Sequence, residues 1–189
     1  MSNELPFIEE LKYQFFFEEI FQASINASFS TRNAEYPIYN SKGPRSNHLK
    51  SSLRELIKDY VVKFKSHNIT EEDHFIEIEK ISEIISVDVK HAQQLHQSKF
   101  PIGTSQKLLN LTLKYLWCVN LIEEPYHCPI DGIVKKTILK IKPNISLENW
   151  TQMDSIHEYR KYITTIKEIA VDKQVSIAKW ELDIWNRKS

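Results

Sequence analysis

Apolar residues recur every three or four positions along most of this chain, and charged residues lie between them. This spacing places apolar side chains on one face of an α-helix, and the alternation typical of a strand is nowhere convincing. We therefore predict an all-α protein of seven or eight helices around a central apolar helix. The first helix is expected to dock on the core through Phe7, Leu11, Phe15, Ile20 and Phe21. The predicted helices cover about residues 5–28, 47–66, 71–86, 88–98, 104–121, 129–140, 152–167 and 177–185.

Sequence signals for helix starts support these boundaries. Thr70 and Asp73 have the spacing of a capping box, in which each side chain satisfies the other residue's backbone N–H. Thr104 or Ser105 is expected to cap the central helix, and Pro129 suits the first position of the helix that follows. Further start signals are Ser46 or Asn47, a second capping-box pattern from Thr151 to Asp154, and Ser176.

One long segment, residues 30–48, interrupts the helical pattern. It contains Pro37, the Gly43-Pro44 pair and many small polar residues, which favour turns over regular structure. Its mixture of cations and rings suits contact with a nucleic acid, because rings stack on bases while cations approach phosphates. The residues concerned are Arg32, Tyr36, Tyr39, Lys42 and Arg45.

Composition limits the class of protein. With 189 residues, 41% of them hydrophobic, the chain can bury one substantial core, so a single domain over residues 1–189 is expected. Lys+Arg and Asp+Glu number 25 each, which excludes a strong overall basic charge and makes any nucleic-acid surface local. Two cysteines, no secretory leader and no apolar run of roughly 20 residues indicate a cytoplasmic protein that does not enter a membrane.

Three polar residues share one side of the predicted central helix. Lys107, Asn110 and Lys114 are spaced i, i+3 and i+7, while most other positions are apolar. Polar groups in such a setting need partners or a function, because burial without a hydrogen bond is costly. We expect a pocket here, with Asn110, Lys114, Trp117 and His127 as candidate substrate-binding residues.

Two predicted helix starts carry the candidate catalytic residues, Lys107 and Asp131. The backbone N–H groups of a first helical turn disfavour a nearby positive charge, so a lysine there reaches its neutral, nucleophilic form more readily. A carboxylate at the start of the next helix can steady a developing cation or orient a water molecule. The alternative is structural: Lys107 extends to solvent and Asp131 only complements its helix N-terminus.

The segment 99–142 resembles the core of the helix-hairpin-helix DNA glycosylases. The likeness is carried by Pro101-Ile102-Gly103, Lys107 and Pro129-Ile130-Asp131, which match the family's hairpin turn, lysine and proline–aspartate element. The resemblance implies an all-α fold that binds DNA through the hairpin, extrudes a base into a pocket, and uses Lys107 as nucleophile with Asp131 assisting. The same segment also looks like part of a set of uncharacterised bacterial proteins, which implies no function.

Local charge offers a second argument for DNA as the partner. Residues 99–142 hold seven lysines against three acids, and a basic helical surface can contact phosphates. The competing hypothesis is a non-enzymatic helical interaction module, whose polar residues form an internal network or a surface for a protein partner; the oligomeric state stays open. The candidate nucleic-acid contacts are Lys99, Gly103, Arg32, Lys42 and Arg45.

Metal and thiol chemistry receive little support from residue spacing. His127 and Cys128 are adjacent, and His91 and His96 are five residues apart, so neither pair suits one metal ion on a regular helix. No metal and no cofactor are therefore expected. Cys128 at a helix start would have a lowered thiol pKa and His127 as a base, although burial as a packing residue is the simpler interpretation.

Overall fold

The computed structural model describes residues 4–30, 38–39 and 47–185, with side chains from Phe7 onward. Within these ranges the chain forms eight α-helices, one short 3₁₀ helix and no strand, which confirms the all-α prediction. The helices are α1 (Glu4–Phe29), α2 (His48–Lys65), α3 (Glu71–Val87), α4 (Val89–Ala92), α5 (Ile102–Cys118), α6 (Gly132–Ile141), α7 (Ile156–Asp172) and α8 (Ile177–Ile184), and the 3₁₀ helix is His96–Ser98. None of the described helices is both long and apolar enough to cross a lipid bilayer.

α5 lies at the centre of the fold. Most of its side chains are buried, and α1, α3 and α7 pack around it. Leu108, Leu109, Leu113 and Leu116 are fully buried and join a single hydrophobic core shared by the other helices. Because α5 is enclosed on nearly all sides, each polar group that it carries must find a partner inside the protein.

α1 docks on the core with only part of the predicted set, since Phe21 is buried and Ile20 packs against the core as expected. Phe17, Phe21 and Ile25 are buried in the core. Phe7 and Phe15, which were expected to dock there with Leu11, are 63% and 61% exposed, and Leu11 is exposed too. The prediction was wrong for these three residues because two apolar stripes run along this helix, and the chain buries the other one.

Two of the predicted capping signals are confirmed, those of α3 and α8. Thr70 Oγ1 accepts a hydrogen bond from Asp73 N, and the Asp73 carboxylate accepts one from Thr70 N, which completes the capping box of α3. Ser176 caps α8 through its hydroxyl. α7, however, begins after Ser155, whose hydroxyl accepts from the backbone N–H of His157, and not within the preceding capping-box pattern.

α5 begins earlier than the sequence predicts. The expected caps, Thr104 and Ser105, lie inside its first turns and are buried. Gly103 explains the difference: its N–H donates to the Met153 carbonyl oxygen at 2.8 Å, and a Cβ here would lie 1.6 Å from the Trp150 carbonyl oxygen. The helix start is therefore covered by a distant segment that only a glycine admits, and Gly103 lies within the fold and not in an exposed hairpin turn.

The start of α6 differs from expectation, whereas Cys128 before it is the buried packing residue of the simpler interpretation. α6 begins at Gly132 with Asp131 as its N-cap, so Pro129 precedes the helix and is not its first residue. Cys128 is buried in the core, and this burial raises the pKa of its thiol well above the ordinary value. The predicted lowering of the Cys128 pKa was wrong, because the thiol lies ahead of the helix and among apolar side chains. Cys118 is exposed, and both thiols are free.

Candidate functional site

Lys107 and Asp131, the two residues predicted to be catalytic, line one open cleft of about 660 Å³. This volume falls within the range of ordinary small-molecule sites. Lys107 comes from α5, Asp131 from the start of α6, and Trp150 from the connection before α7. The remaining lining residues are Ala27, Ser30, Gly132, Ile133, Lys135, Asn149 and Thr151.

Lys107 is held against the aromatic wall of this cleft. Its Nζ lies 4.1 Å from the centre of the Trp150 ring, a distance at which the ring face attracts an ammonium group. Because α5 begins at Ile102, Lys107 is the sixth helical residue and lies in the second turn. The argument that a first-turn position favours its neutral form therefore does not apply.

Asp131 has a defined structural role in addition to its place in the cleft. Its Oδ1 accepts hydrogen bonds from the backbone N–H groups of Ile133 at 2.9 Å and Val134 at 3.1 Å, which caps α6. Both bonds use the same carboxylate oxygen, so Oδ2 is not needed for the cap. Asp131 therefore caps α6, as the structural alternative predicts, and this role is compatible with a second role in the cleft.

Cations outnumber anions among the described residues that line the cleft. The ionisable ones are Lys107, Lys135 and Asp131, two cations against one anion. Lys135 Nζ donates to the Asn149 side-chain oxygen at 2.8 Å, which holds the second ammonium group at the rim. An anionic ligand is therefore favoured over a cationic one.

Asn110 does not face the cleft; it lies at the centre of a buried hydrogen-bond network. Its Oδ1 is 2.8 Å from His74 Nε2, and its Nδ2 donates to Tyr159 Oη at 2.9 Å and to Gln106 Oε1 at 3.3 Å. Gln106 in turn bonds both backbone groups of Ile130, through its amide nitrogen and its oxygen. The amide of Asn110 is thereby fully used inside the protein, which argues against its predicted contact with a substrate.

His127 belongs to the same network and not to a pocket. Its Nδ1 lies 3.0 Å from Tyr159 Oη and its Nε2 2.9 Å from Glu71 Oε1, while Lys167 Nζ lies 2.5 Å from that carboxylate. Burial lowers the pKa of His127, and burial lowers the pKa of His74 to about 3, so both imidazoles are neutral at pH 7. The hydrogen bond from His127, together with Lys167, lowers the pKa of Glu71 to about 2.

Lys114 forms a buried ion pair with Glu181 of α8. Its Nζ lies 2.9 Å and 2.7 Å from the two carboxylate oxygens, and both side chains are almost completely buried. The ring of Trp185 lies on the same ammonium group, 4.9 Å from Nζ to the centroid. Lys114 therefore holds α8 against α5, a pairing that the interaction-module hypothesis predicts and the substrate-binding hypothesis does not.

The other predicted site residues lie apart from the cleft or outside the described residues. Trp117 lines a separate surface depression with Asn120 and Leu121. Lys99 pairs with Asp154 at 3.0 Å, so its charge is partly neutralised. Gly103 is buried against the Trp150 backbone. Arg32, Lys42 and Arg45 lie outside the described residues.

Sequence reasoning missed Trp150 as a wall of the cleft and His74 as a member of the network. Both were visible as residue types, but Asn110 is 36 residues from His74, and the Lys107 contact of Trp150 joins two distant segments, so no local signal reveals these roles. Among the described residues, no group of three or more His, Cys, Asp or Glu side chains is arranged around a common point as in a metal centre.

No family model matches the sequence, and neither a curated protein nor a solved structure is significantly similar to it.

Proposed function

We propose that this protein binds DNA and receives an unpaired or missing-base nucleotide in the cleft, where Lys107 acts as nucleophile and Asp131 assists. One observation carries the proposal: Lys107 and Asp131, which are 24 residues apart in sequence and belong to different helices, line the same cleft. A purely structural role for each residue would not require them to share a surface.

The remaining lining residues suit a nucleotide. The Trp150 ring offers a face on which a base can stack, and Lys135 at the rim supplies a second cation for phosphate. A base that occupies the ring face displaces the ammonium group of Lys107 from it. Binding of the base therefore releases the Lys107 amine, because the base and the ammonium group compete for the same face of the Trp150 ring.

The chemistry that these groups support is imine formation with the aldehyde of an abasic sugar. The neutral amine of Lys107 adds to C1′, the adduct loses water to give an imine, and loss of a C2′ proton then expels the 3′ phosphate. Asp131 accepts a proton from the lysine or returns it to the departing water. Hydrolysis of the imine restores the amine, so no external oxidant or reductant takes part.

Borohydride trapping tests this chemistry directly. The wild-type protein is incubated with duplex DNA containing an abasic site, and borohydride reduces any imine to a stable covalent adduct. We expect an adduct with the wild type and none with Lys107→Gln. Lys136→Gln, which removes a neighbouring lysine that does not line the cleft, is the matched control and should still form it. A wild type without adduct, or a Lys107→Gln variant with an equal adduct yield, would remove the lyase proposal.

A salt titration tests DNA binding separately from catalysis. Contacts to phosphates release counterions, so affinity should fall steeply as salt increases. We expect Lys135→Gln to weaken binding and flatten this slope by about one unit of log K per log salt, because it removes one phosphate contact. Binding that is absent at low salt would reject the DNA proposal whatever the trapping result.

The second candidate function is a non-enzymatic interaction module, and a surface on α1 favours it. Phe7, Ile8, Leu11 and Phe15 are exposed, and their spacing of three and four residues forms one helical stripe. The occupant that we propose is a second copy of this chain. Each exposed aromatic ring can bury about 150–250 Å², and a symmetric pairing doubles the apolar area toward the roughly 1,000 Å² of a stable interface.

Sedimentation velocity tests this pairing. The wild type should sediment as a dimer at micromolar concentration, and the double variant Leu11→Glu/Phe15→Glu as a monomer. Val171→Glu changes another exposed apolar residue, on α7, and should stay dimeric. A monomeric wild type would reject the interface.

We also propose a cytoplasmic location, which the two unpaired thiols of Cys118 and Cys128 support. Disulfides form readily in oxidising compartments, and an exposed thiol such as that of Cys118 is more compatible with a reducing one.

A further inference from the structure

Three polar side chains from two distant helices meet at the beginning of α2. His48 is the first residue of that helix, Ser52 lies one turn later, and His91 comes from α4. His48 Nδ1 lies 3.0 Å from His91 Nε2, and Ser52 Oγ lies 3.1 Å from the His91 nitrogen and 3.3 Å from the His48 nitrogen. The three atoms thus form a nearly equilateral triangle, and none of them belongs to the cleft.

We infer that this triangle is a binding site for a divalent transition-metal ion of the zinc class, with His48 Nδ1 and His91 Nε2 as ligands and Ser52 Oγ as third donor. Zinc–nitrogen bonds are about 2.0–2.1 Å, so two ligands of one ion lie about 3.4 Å apart in a tetrahedron. The observed separations need to open by only a few tenths of an ångström. Water molecules fill the remaining coordination positions on the solvent side, where His48 is exposed.

The surroundings of His91 resemble those of metal-binding histidines in general. Its ring is buried, and its other nitrogen, Nδ1, has no hydrogen-bond partner and lies 3.8 Å from Asp88 Oδ1. Metal-bound histidines usually direct this second N–H at a carboxylate, which fixes the ring and strengthens its basicity. Asp88 is itself fixed, because its carboxylate caps α4 by accepting from the backbone of Lys90 and His91.

The separation of the ligands in sequence explains why spacing does not reveal this site. His48 and His91 are 43 residues apart. His96, which lies five residues after His91, belongs to the following 3₁₀ helix and is exposed, whereas His91 is buried. In the absence of a metal, one imidazole donates its N–H to the other, and that interpretation predicts no metal binding beyond the surface background.

Cobalt titration followed by zinc competition tests the site on the whole chain without an affinity tag. The wild type should bind one Co²⁺ per chain, with a visible absorption change that Zn²⁺ abolishes, and Zn²⁺ should raise its Tm. His48→Ala should lose at least tenfold in affinity and the Tm response. Because His48 is exposed, this variant is expected to fold, which circular dichroism checks. Ser52→Ala should bind more weakly than the wild type but still respond.

His96→Ala is the matched control, since it removes an exposed imidazole that lies close by in the chain. It should bind Co²⁺ as the wild type does. A wild type that binds no ion, or a His48→Ala variant that binds with unchanged affinity, would overturn the inference.

Discussion

The hydroxyl oxygen of Tyr159 lies 3.0 Å from Nδ1 of His127, and this contact joins the two halves of the buried network. Tyr159 accepts from the Asn110 amide, so its own proton goes to His127 Nδ1, and His127 then donates from Nε2 to Glu71. On the other side, Asn110 Oδ1 accepts from His74, whose Nδ1 accepts from Tyr60 at 2.7 Å. The network thus runs one way from the core to the surface, with both imidazoles neutral and protonated at Nε2.

Tyr159→Phe should destabilise the protein by about 1–3 kcal/mol, because it leaves a buried amide N–H and a buried imidazole nitrogen without partners. Urea unfolding at pH 7 measures the change. Tyr162→Phe is a suitable comparison, since its hydroxyl donates only to the Glu148 backbone carbonyl near the surface, and the loss there should be smaller. Equal losses for the two variants would contradict the network as a cooperative unit.

Stability should fall as the pH drops from 7 toward 4. The pKa of His74 is lowered from 6.5 to about 3 by burial, so below pH 6.5 the unfolded chain binds a proton that the folded chain does not. Each such imidazole weakens folding by up to about 1.4 kcal/mol per pH unit in this range. The low pKa of Glu71, about 2, adds a further loss only below pH 4.5.

Urea titrations at pH 7, 6 and 5 measure this dependence. His96→Gln removes an exposed imidazole and should leave the slope unchanged. His74→Gln should flatten it, whatever its effect on stability at pH 7. If the unfolding free energy of the wild type is constant between pH 7 and pH 5, the buried imidazoles bind protons as readily in the folded chain as in the unfolded chain, which contradicts the prediction.

The buried pair of Lys114 and Glu181 should show strong coupling. Lys114→Met or Glu181→Leu alone should cost about 3–5 kcal/mol, because each leaves one partner without its counterpart in the core. The double variant Lys114→Met/Glu181→Leu should recover most of that loss. A double-mutant cycle by chemical denaturation gives the coupling energy. If the losses in unfolding free energy of the two single variants simply add in the double variant, water reaches the pair.

Two glycines allow a matched test of the helix start beside the cleft. Gly103→Ala forces a Cβ against the Trp150 carbonyl oxygen and should cost at least about 1–3 kcal/mol. Gly132→Ala, where a Cβ meets nothing within 4 Å, should be neutral or stabilise by at most about 1 kcal/mol. Thermal unfolding compares them, and similar Tm values for the two variants would contradict the close approach.

Sequence predicted those features whose causes are local. The period of apolar residues gives the helices, and Thr70 with Asp73 gives the start of α3, because the interacting groups lie within one turn. The start of α5, the partner of Lys114 and the neighbours of Asn110 depend on segments that are 36 to 67 residues away in the chain. Polarity on an apolar helix correctly indicated that partners exist, but it does not distinguish a substrate from an internal hydrogen bond.

Trp150 connects the helix start to the cleft in a way that can be observed optically. Its carbonyl oxygen covers Gly103 while its ring supports the Lys107 ammonium group, so the orientation of the ring is set by the backbone of α5. A bound ligand that replaces the ammonium group changes the environment of this indole. Trp150 is the tryptophan among the described residues that line the cleft. Of the other three, Trp180 is buried, Trp117 lies at a separate depression and Trp185 packs on Lys114, so the fluorescence of Trp150 is a built-in reporter of cleft occupancy.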